Sequence, residues 1–303
     1  MAGSRTGVVS SADVDSYLRR LGVDAERPSA AALFRLHRAQ VEHVTYETIW
    51  IHLGQQWGID PVDSLRRVAH DRRGGYCYHL NGAFFELLRA LGYQVTRHIG
   101  GVHGPEGPSP EALTNHLVLV VDGLPTDANP AGRWYVDAGL GDALYEPLPM
   151  VAGKYVQAPM RFGLTETNDG VGDWHLAHDP TGSFTGMSFR LEPVSINAFT
   201  ERHAYLSTSP QSGFVRVITV QRRHATGADI LRGLVLTRTG AEQRDERVLD
   251  QRRDWLGVIN DLFGLRLDAA PQALESLWAK VVAIHEARSP STGGLLVRPP
   301  GAI

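Results

Sequence analysis

Residues 73–92 run Arg-Gly-Gly-Tyr-Cys-Tyr-His-Leu-Asn-Gly-Ala-Phe-Phe-Glu-Leu-Leu-Arg-Ala-Leu-Gly. Within this stretch Leu80, Ala83, Phe84, Leu87, Leu88 and Leu91 fall at i, i+3, i+4, i+7, i+8 and i+11, the spacing of one apolar helix face. Gly92 is its natural stop. Two glycines at the other end let the backbone approach closely as the helix begins. Cys77 then sits in the first turn, at the positive end of the helix dipole and beside unpaired backbone N–H groups. Such a place favours thiolate over thiol, and the thiolate is the nucleophile. A lone cysteine is ordinarily a small buried hydrophobe. A nucleophilic one needs a base, and the base needs an orienting group.

Upstream of this helix the sequence also reads as helical. Ser11 is placed to cap a helix through Val14, Tyr17, Leu18 and Leu21 that ends at Gly22. Ser29 is placed to cap a second, carrying Leu33, Leu36, Val41 and Val44, and Pro61 suits the first turn of a third. Downstream the period changes. Tyr93 to His98, His116 to Val121, Trp134 to Asp137, Phe184 to Leu191, Phe214 to Gln221 and Gly233 to Arg238 read as strands between Gly/Pro/Asn/Asp-rich turns. Gln272 to Arg288 returns to a helical pattern, and the tail from Ser289 reads as irregular. Helices followed by a run of strands predict an α+β fold, not alternating βαβ units.

At 303 residues the chain is long enough for two or three packed subdomains, and 43% hydrophobic with 21% charged residues is ordinary for a globular protein with a core. A formal net charge of −3 and no clustered Lys/Arg face argue against nucleic-acid binding. No run approaches the roughly 18 apolar residues of a membrane span, so no membrane partner is expected. The stretch MAGSRTGVVSSADVDS lacks the apolar core of a secretory signal, and the expected location is cytoplasmic. A single cysteine excludes an internal disulfide and any CxxC metal or redox site, so no metal is expected.

His116 opens the apolar run Leu117 to Val121, and Asp137 closes the strand Trp134-Tyr135-Val136. Two paired strands can deliver an imidazole and a carboxylate to one sheet edge, where the carboxylate fixes the tautomer and stabilises the imidazolium. Spacing alone leaves His116, His98 and His103 all open as the base, and most of the thirteen histidines are read as structural.

Arg73-Gly74-Gly75-Tyr76-Cys77, followed by Asn81, resembles the nucleophile motif R-G-G-x-C-x-E-x-N of the arylamine N-acetyltransferases. Thr114-Asn115-His116-Leu117 is similar to that family's histidine segment, and Tyr135-Val136-Asp137-Ala138-Gly139-Leu140-Gly141 resembles its D-x-G-F-G segment, followed by Glu146-Pro147-Leu148. Val44 to Thr48 resembles the P-F-E-N element, and Leu206 to Phe214 the join between second and third domains. The resemblance runs in family order from about residue 10 to about residue 240. It implies a helical bundle (1–92) carrying the nucleophile, a β-barrel (93–205) carrying His and Asp, and an α/β lid (206–303), around a cysteine-protease-like catalytic core. It further implies a Cys77, His116, Asp137 triad, acetyl-CoA as co-substrate, an amine as acceptor, and ping-pong transfer through a Cys77 thioester. Thr208 and Ser209 align with a segment beside CoA, although Ser/Thr before a proline are commonly turn formers. Lys154 and the Arg-rich stretch Gln221 to His224 could meet CoA phosphates, but a solvated charged face is the preferred reading.

The chain departs from the family pattern at three places: His79 stands where Glu is usual, Thr48 where Asn is usual, and Leu140 where an aromatic is usual. Arg73 and Glu47 are read as an architectural pair, and His79 as pointing away from the thiol, since i and i+2 do not share a helix face. The Thr48 and Leu140 changes bear on substrate choice. Two other readings keep the same three residues. One is an amide-forming acyltransferase of secondary metabolism, fed by an acyl carrier protein or a longer acyl thioester. The other is a thiol hydrolase.

Overall fold

The structure, a computed structural model, describes residues 7–241 and 244–288. Its first helix, α1 (Ser11–Leu21), is capped by Ser10 and not by Ser11. Ser10 Oγ accepts from the Asp13 amide at 3.2 Å, and the Ser10 amide donates to the Asp13 carboxylate at 3.1 Å. This reciprocal capping box needs an acid three residues after the cap, which only Ser10 has. Gly22, at φ 68°, ends the helix in the left-handed region as expected. Helix α2 (Ala30–His43) begins on Ser29. A two-residue strand, β1 (Tyr46–Glu47), and a one-turn helix, α3 (Ile49–His52), follow; neither is legible in the residue pattern. Helix α4 (Pro61–Arg66) has Pro61 in its first turn and continues as a π-turn over Arg67–Asp71.

Helix α5 (Cys77–Ala90) is the periodic one, and Leu80, Ala83, Phe84, Leu87 and Leu88 are each no more than 1% exposed. Truncating any of these leucines to alanine would cost about 2–5 kcal/mol. The face packs against β2 (Gln94–His103) and β3 (His116–Asp122). These two belong to an eight-stranded antiparallel sheet with β4 (Trp134–Val136), β5 (Leu148–Pro149), β6 (Gly153–Gln157), β7 (Met160–Glu166), β8 (Trp174–Ala177) and β9 (Gly186–Pro193). The order β5-β4-β3-β2-β9-β8-β7-β6 makes a nearly closed barrel. Between its ends, His116 and Asp122, strand β3 is apolar without interruption because both faces are covered. Leu117, Leu119 and Val121 join the helical core, and Val118 joins the barrel interior.

A second antiparallel sheet runs β1-β10-β11-β12-β13, with β10 (Thr219–His224), β11 (Gly227–Arg232), β12 (Val235–Gly240) and β13 (Arg244–Val248). The segment read as one strand from Phe214 to Gln221 is divided. Ser212 Oγ accepts from the Phe214 amide at 3.2 Å and caps a short helix, α7 (Gly213–Arg216), before β10 begins. A hydroxyl cap thus overrides the β-branched run that follows it. Helix α6 (Thr200–Thr208) precedes this turn, and α8 (Arg252–Gly257) and α9 (Pro271–Arg288) cover the outer face of the sheet. There Ile218, Val220 and Leu231 pack with Trp255, Ile259 and Val281.

The Arg-rich stretch is not a solvated face. Arg223 is 1% exposed and donates to the carbonyls of Ala143, Gln157, Ala158 and Gly227 at 2.8–3.0 Å, tying the second sheet to the barrel. Its alternation partner Arg222 pairs with Asp229, while Lys154 stays exposed on β6. The tail read as irregular from Ser289 lies outside the described residues. Among the described residues no helix is long and apolar enough to cross a membrane.

Candidate active site

Cys77 is the first residue of α5, and Tyr76, the cap position, supplies no side-chain hydrogen bond to the helix start. The partial positive charge there is therefore left facing the sulfur. The two glycines before it are sterically required. A Cβ on Gly74 would lie 1.8 Å from the Thr45 carbonyl oxygen, and Gly75 stands at φ +119° with the His79 ring 2.7 Å from where its Cβ would be. The loop is clamped onto β1, where the Glu47 amide donates to the Gly75 carbonyl at 2.9 Å.

The first residue of β3, His116, and the residue just past β4, Asp137, meet in front of this helix start. His116 Nε2 and Asp137 Oδ2 are 2.7 Å apart, and both side chains are no more than 2% exposed. Asp137 accepts three further bonds: Tyr135 hydroxyl at 2.8 Å, Asn81 Nδ2 at 2.8 Å and the Gly139 amide at 3.0 Å. Asn81 also donates to the Leu117 carbonyl at 2.6 Å and accepts from the Ala138 amide at 3.0 Å. One helical side chain thus locks the strands that carry the imidazole and the carboxylate. With Nε2 committed to Asp137, the other ring nitrogen is the one left for Cys77, which lines the same cavity as His116.

Burial would lower the His116 pKa, but the charges of Asp137 and Cys77 and their hydrogen bonds prevail and raise it to about 10. These neighbours favour the protonated form of the ring. Cys77 Sγ itself lies 3.6 Å from the Asn115 carbonyl oxygen, and the Asn115 side chain is fixed by the Val102 amide and carbonyl at 2.8 and 2.9 Å.

The other candidate histidines lie elsewhere. His98 Nε2 bonds Thr96 Oγ1 at 2.8 Å, and the His103 ring stacks on His175 with centroids 5.2 Å apart. His79 is fully buried among Trp50, Trp57, Tyr76 and His203, with centroids 4.7–5.9 Å away. Burial first, then Arg67 and His203, push its pKa well below the ordinary value, so it stays neutral. It packs the motif loop, as the i+2 argument predicts. Arg73 and Glu47 form a buried pair at 2.7 Å, and the second Glu47 oxygen accepts from the Ile49 amide at 2.8 Å.

Cys77 and His116 open onto a cavity enclosing about 530 Å³, part of it open solvent at its mouth. Leu140, one of the departures, lines it; Thr48 does not, its hydroxyl instead accepting from the Thr219 amide at 3.0 Å. Thr208 and Ser209 are not on the cavity wall. The Thr208 hydroxyl donates to the Ala204 carbonyl at 2.7 Å, and the Ser209 hydroxyl to Gln211 Oε1 at 2.8 Å.

Asn81 and Tyr135 carried a legible signal, at i+4 from Cys77 on a helix and i−2 from Asp137 on a strand. Gln221 and Arg232, which also line the cavity, carried none. Among the described residues no group of three or more His, Cys, Asp or Glu side chains is placed to hold a metal.

A family model described as N-acetyltransferase matches residues 29–272. Arylamine N-acetyltransferase 2 of Mesocricetus auratus is 26% identical over 284 residues, covering 84% of this chain and 95% of its own length. Arylamine N-acetyltransferase 1 of Homo sapiens is 27% identical over 258 residues, covering 77% of this chain and 85% of its own length. Among solved structures, the M. smegmatis arylamine N-acetyl transferase superposes with a TM-score of 0.78 at 28% identity, covering 88% of this chain and 97% of that one. The Mycobacterium marinum enzyme in complex with CoA gives 0.78 at 23% identity, a likeness of fold, over 89% and 99% of the two chains.

Proposed function

The chain belongs to the arylamine N-acetyltransferase family, and from that premise we propose that it moves an acetyl group from acetyl-CoA to the nitrogen of an arylamine or hydrazine through a thioester on Cys77. The observation that supports this reading is the buried His116–Asp137 pair, with His116 and Cys77 on the wall of one cavity.

The chemistry follows from where the proton rests. The Cys77 thiol proton passes to the His116 imidazole, whose charged form Asp137 stabilises, and the sulfur becomes the nucleophile. It attacks the thioester carbonyl, and backbone N–H groups at the start of α5 stabilise the tetrahedral oxyanion. Collapse expels the CoA thiolate, which takes the His116 proton and leaves as the thiol. Acylation also removes the negative charge of Cys77, one of the causes that hold the His116 pKa up. The now neutral imidazole is a base at the moment one is needed. It takes the proton of the attacking amine as the C–N bond forms and the Cys77 thiolate leaves, restoring the Cys77–His116 pair. Weakly basic arylamines suit this step because their nitrogen is unprotonated at neutral pH.

In this reading residues 1–92 are the domain that supplies the nucleophile, 93–205 the domain that supplies the base and carboxylate, and 206–303 the lid domain, from which Phe214, Thr219, Gln221 and Arg232 line the cavity. Thr208 and Ser209 remain proposed CoA contacts, which would require their hydroxyls to exchange the local partners described above. Intact-mass measurement tests the reaction. One acetyl group should add to the protein on incubation with acetyl-CoA, and Cys77→Ser should lose both adduct and turnover. Stable acetylation of Cys77→Ser overturns the nucleophile. The same measurement with an acyl carrier-protein thioester separates the amide-synthase variant, and release of free acid without amine separates a hydrolase.

A further inference from the structure

Tyr17, Tyr76, Tyr78 and Tyr135 are buried, and each spends its hydroxyl on a protein partner. Tyr17 donates to Gln40 Oε1 at 2.9 Å, Tyr135 to Asp137 Oδ2 at 2.8 Å and Tyr78 to the Thr114 carbonyl, while Tyr76 meets His203 Nδ1. A buried phenol ordinarily finds such a partner, because an unpaired hydroxyl in the interior costs free energy. Tyr46 breaks this pattern at the active site. It is 8% exposed and lines the cavity with Cys77 and His116. Among the described residues its hydroxyl meets no hydrogen-bond partner.

Strand alternation aims the ring at the cavity. Tyr46 and Glu47 make up β1, and Glu47 turns into the core to meet Arg73, so Tyr46 turns the opposite way. Its backbone is bridged to Gly75, two residues before Cys77, and the neighbouring Glu47 amide holds the Gly75 carbonyl at 2.9 Å. Its ring stands edge-on to Phe214, another cavity residue, with centroids 6.3 Å apart. The phenol is thus fixed by the same loop that places the sulfur. Burial pushes its pKa well above the ordinary value, and the charge of Cys77 pushes the same way, ahead of every other charged neighbour. The hydroxyl therefore keeps its proton, and negative charge at the sulfur end of the cavity reaches it.

We propose that the Tyr46 hydroxyl is an oxyanion donor for acyl transfer at Cys77, acting beside the backbone N–H groups at the start of α5. This rests on the acyl-transfer reading above. As the Cys77 S–C bond forms, the carbonyl π pair moves onto oxygen, and the Tyr46 O–H donates to that oxygen without giving up its proton. When the bond to the CoA sulfur breaks, the pair returns to the carbonyl and the hydrogen bond relaxes. Attack of the amine on the Cys77 thioester develops charge on the same oxygen, so one hydroxyl serves both half-reactions. A donor that meets full charge only as the intermediate forms accelerates the step without merely tightening substrate binding.

Tyr46→Phe removes the hydroxyl and keeps the ring beside Phe214. Three rates are compared in wild type and Tyr46→Phe: acetylation of Cys77 by acetyl-CoA without amine, discharge of the acetyl-enzyme to aniline, and alkylation of Cys77 by iodoacetamide. Both acyl transfers form an oxyanion, whereas alkylation displaces iodide and forms none. Tyr46→Phe is expected to slow both acyl transfers about a hundredfold and to leave alkylation unchanged, which also shows that the site is still folded. Equal loss in all three rates would place the hydroxyl on the sulfur and overturn the proposal. Loss confined to discharge would place it on the amine and overturn it too, as would acyl-transfer rates that do not change. If acetyl-CoA does not acylate the wild-type protein, the acyl-transfer reading fails instead. The same comparison with 4-nitrophenyl acetate, whose attack by Cys77 also forms an oxyanion, then decides the role of Tyr46.

Discussion

Two buried ion pairs stand behind the same motif, and they have the same length. Arg73 meets Glu47 at 2.7 Å, with side chains 8% and 0% exposed; His116 meets Asp137 at 2.7 Å, with side chains 2% and 0% exposed. Neither distance nor burial tells them apart. The first pair is closed: Glu47 spends its other oxygen on the Ile49 amide, and the cation is a guanidinium that cannot surrender a proton. The second keeps one ring edge toward a thiol at a cavity, and its cation is the one side chain that readily gives up and regains a proton. A buried ion pair becomes chemistry only when it titrates and has an open side. Otherwise it is architecture.

The comparison breaks most sharply in kinetics. His116→Ala should slow acylation of Cys77 by roughly 10²–10⁴-fold, the usual contribution of a general base, while His98→Ala and His103→Ala leave it nearly intact. Rapid-quench measurement of the acetyl adduct checks this, and a severe defect in His103→Ala would move the base elsewhere. Next in size is Arg73→Met, which strands the Glu47 carboxylate in the core and should cost about 3–5 kcal/mol of stability in urea unfolding. If Arg73→Met instead abolished acylation in protein shown to be folded, the two pairs would not divide as described.

A third expectation uses pH. The folded pKa of His116, raised to about 10 against an ordinary 6.5, means that its protonated form is the stabilised one. Stability from this source is complete below about pH 6.5 and is lost as pH rises through about 10. The stability gap between wild type and His116→Gln should therefore narrow from pH 6 to pH 10. A gap that widens over that range would reverse the assigned sign. The smallest effect is expected for Tyr135→Phe, which removes one of four hydrogen bonds to Asp137. About 1 kcal/mol, or several-fold in acylation rate, is the scale of one such bond. A loss as large as that of His116→Ala would mean that Tyr135 takes part in the chemistry.

The long elements were legible because their periodicity is sustained. Fourteen residues of α5 repeat the 3.6 spacing enough times to leave no alternative, and residues 117–121 of β3 are apolar throughout. The short barrel strands β6 to β8 were not legible, since four to seven residues of mixed polarity match several templates equally well. Capping errors had local causes, as at Ser10 against Ser11, where a single reciprocating carboxylate decides. Arg223 shows the limit most clearly. An arginine among charged neighbours reads as solvated, yet carbonyls from segments about 65 and 80 positions away make burial acceptable.

The residue order by itself placed Cys77 at a helix start, set the helix-to-strand progression and, through the family motifs, pointed to His116 and Asp137, which the structure brings together. Those features are local: a helix start, a strand end and a glycine pair are each written within a few residues. Only the tertiary structure decided that Asn81 locks both strands, that Thr208 and Ser209 bond within their own segment, and that Arg232 lines the same cavity as Cys77. These depend on which strand pairs with which and in what register, and a shift of one residue would have turned Arg232 into the Trp255 core and Leu231 toward the cavity.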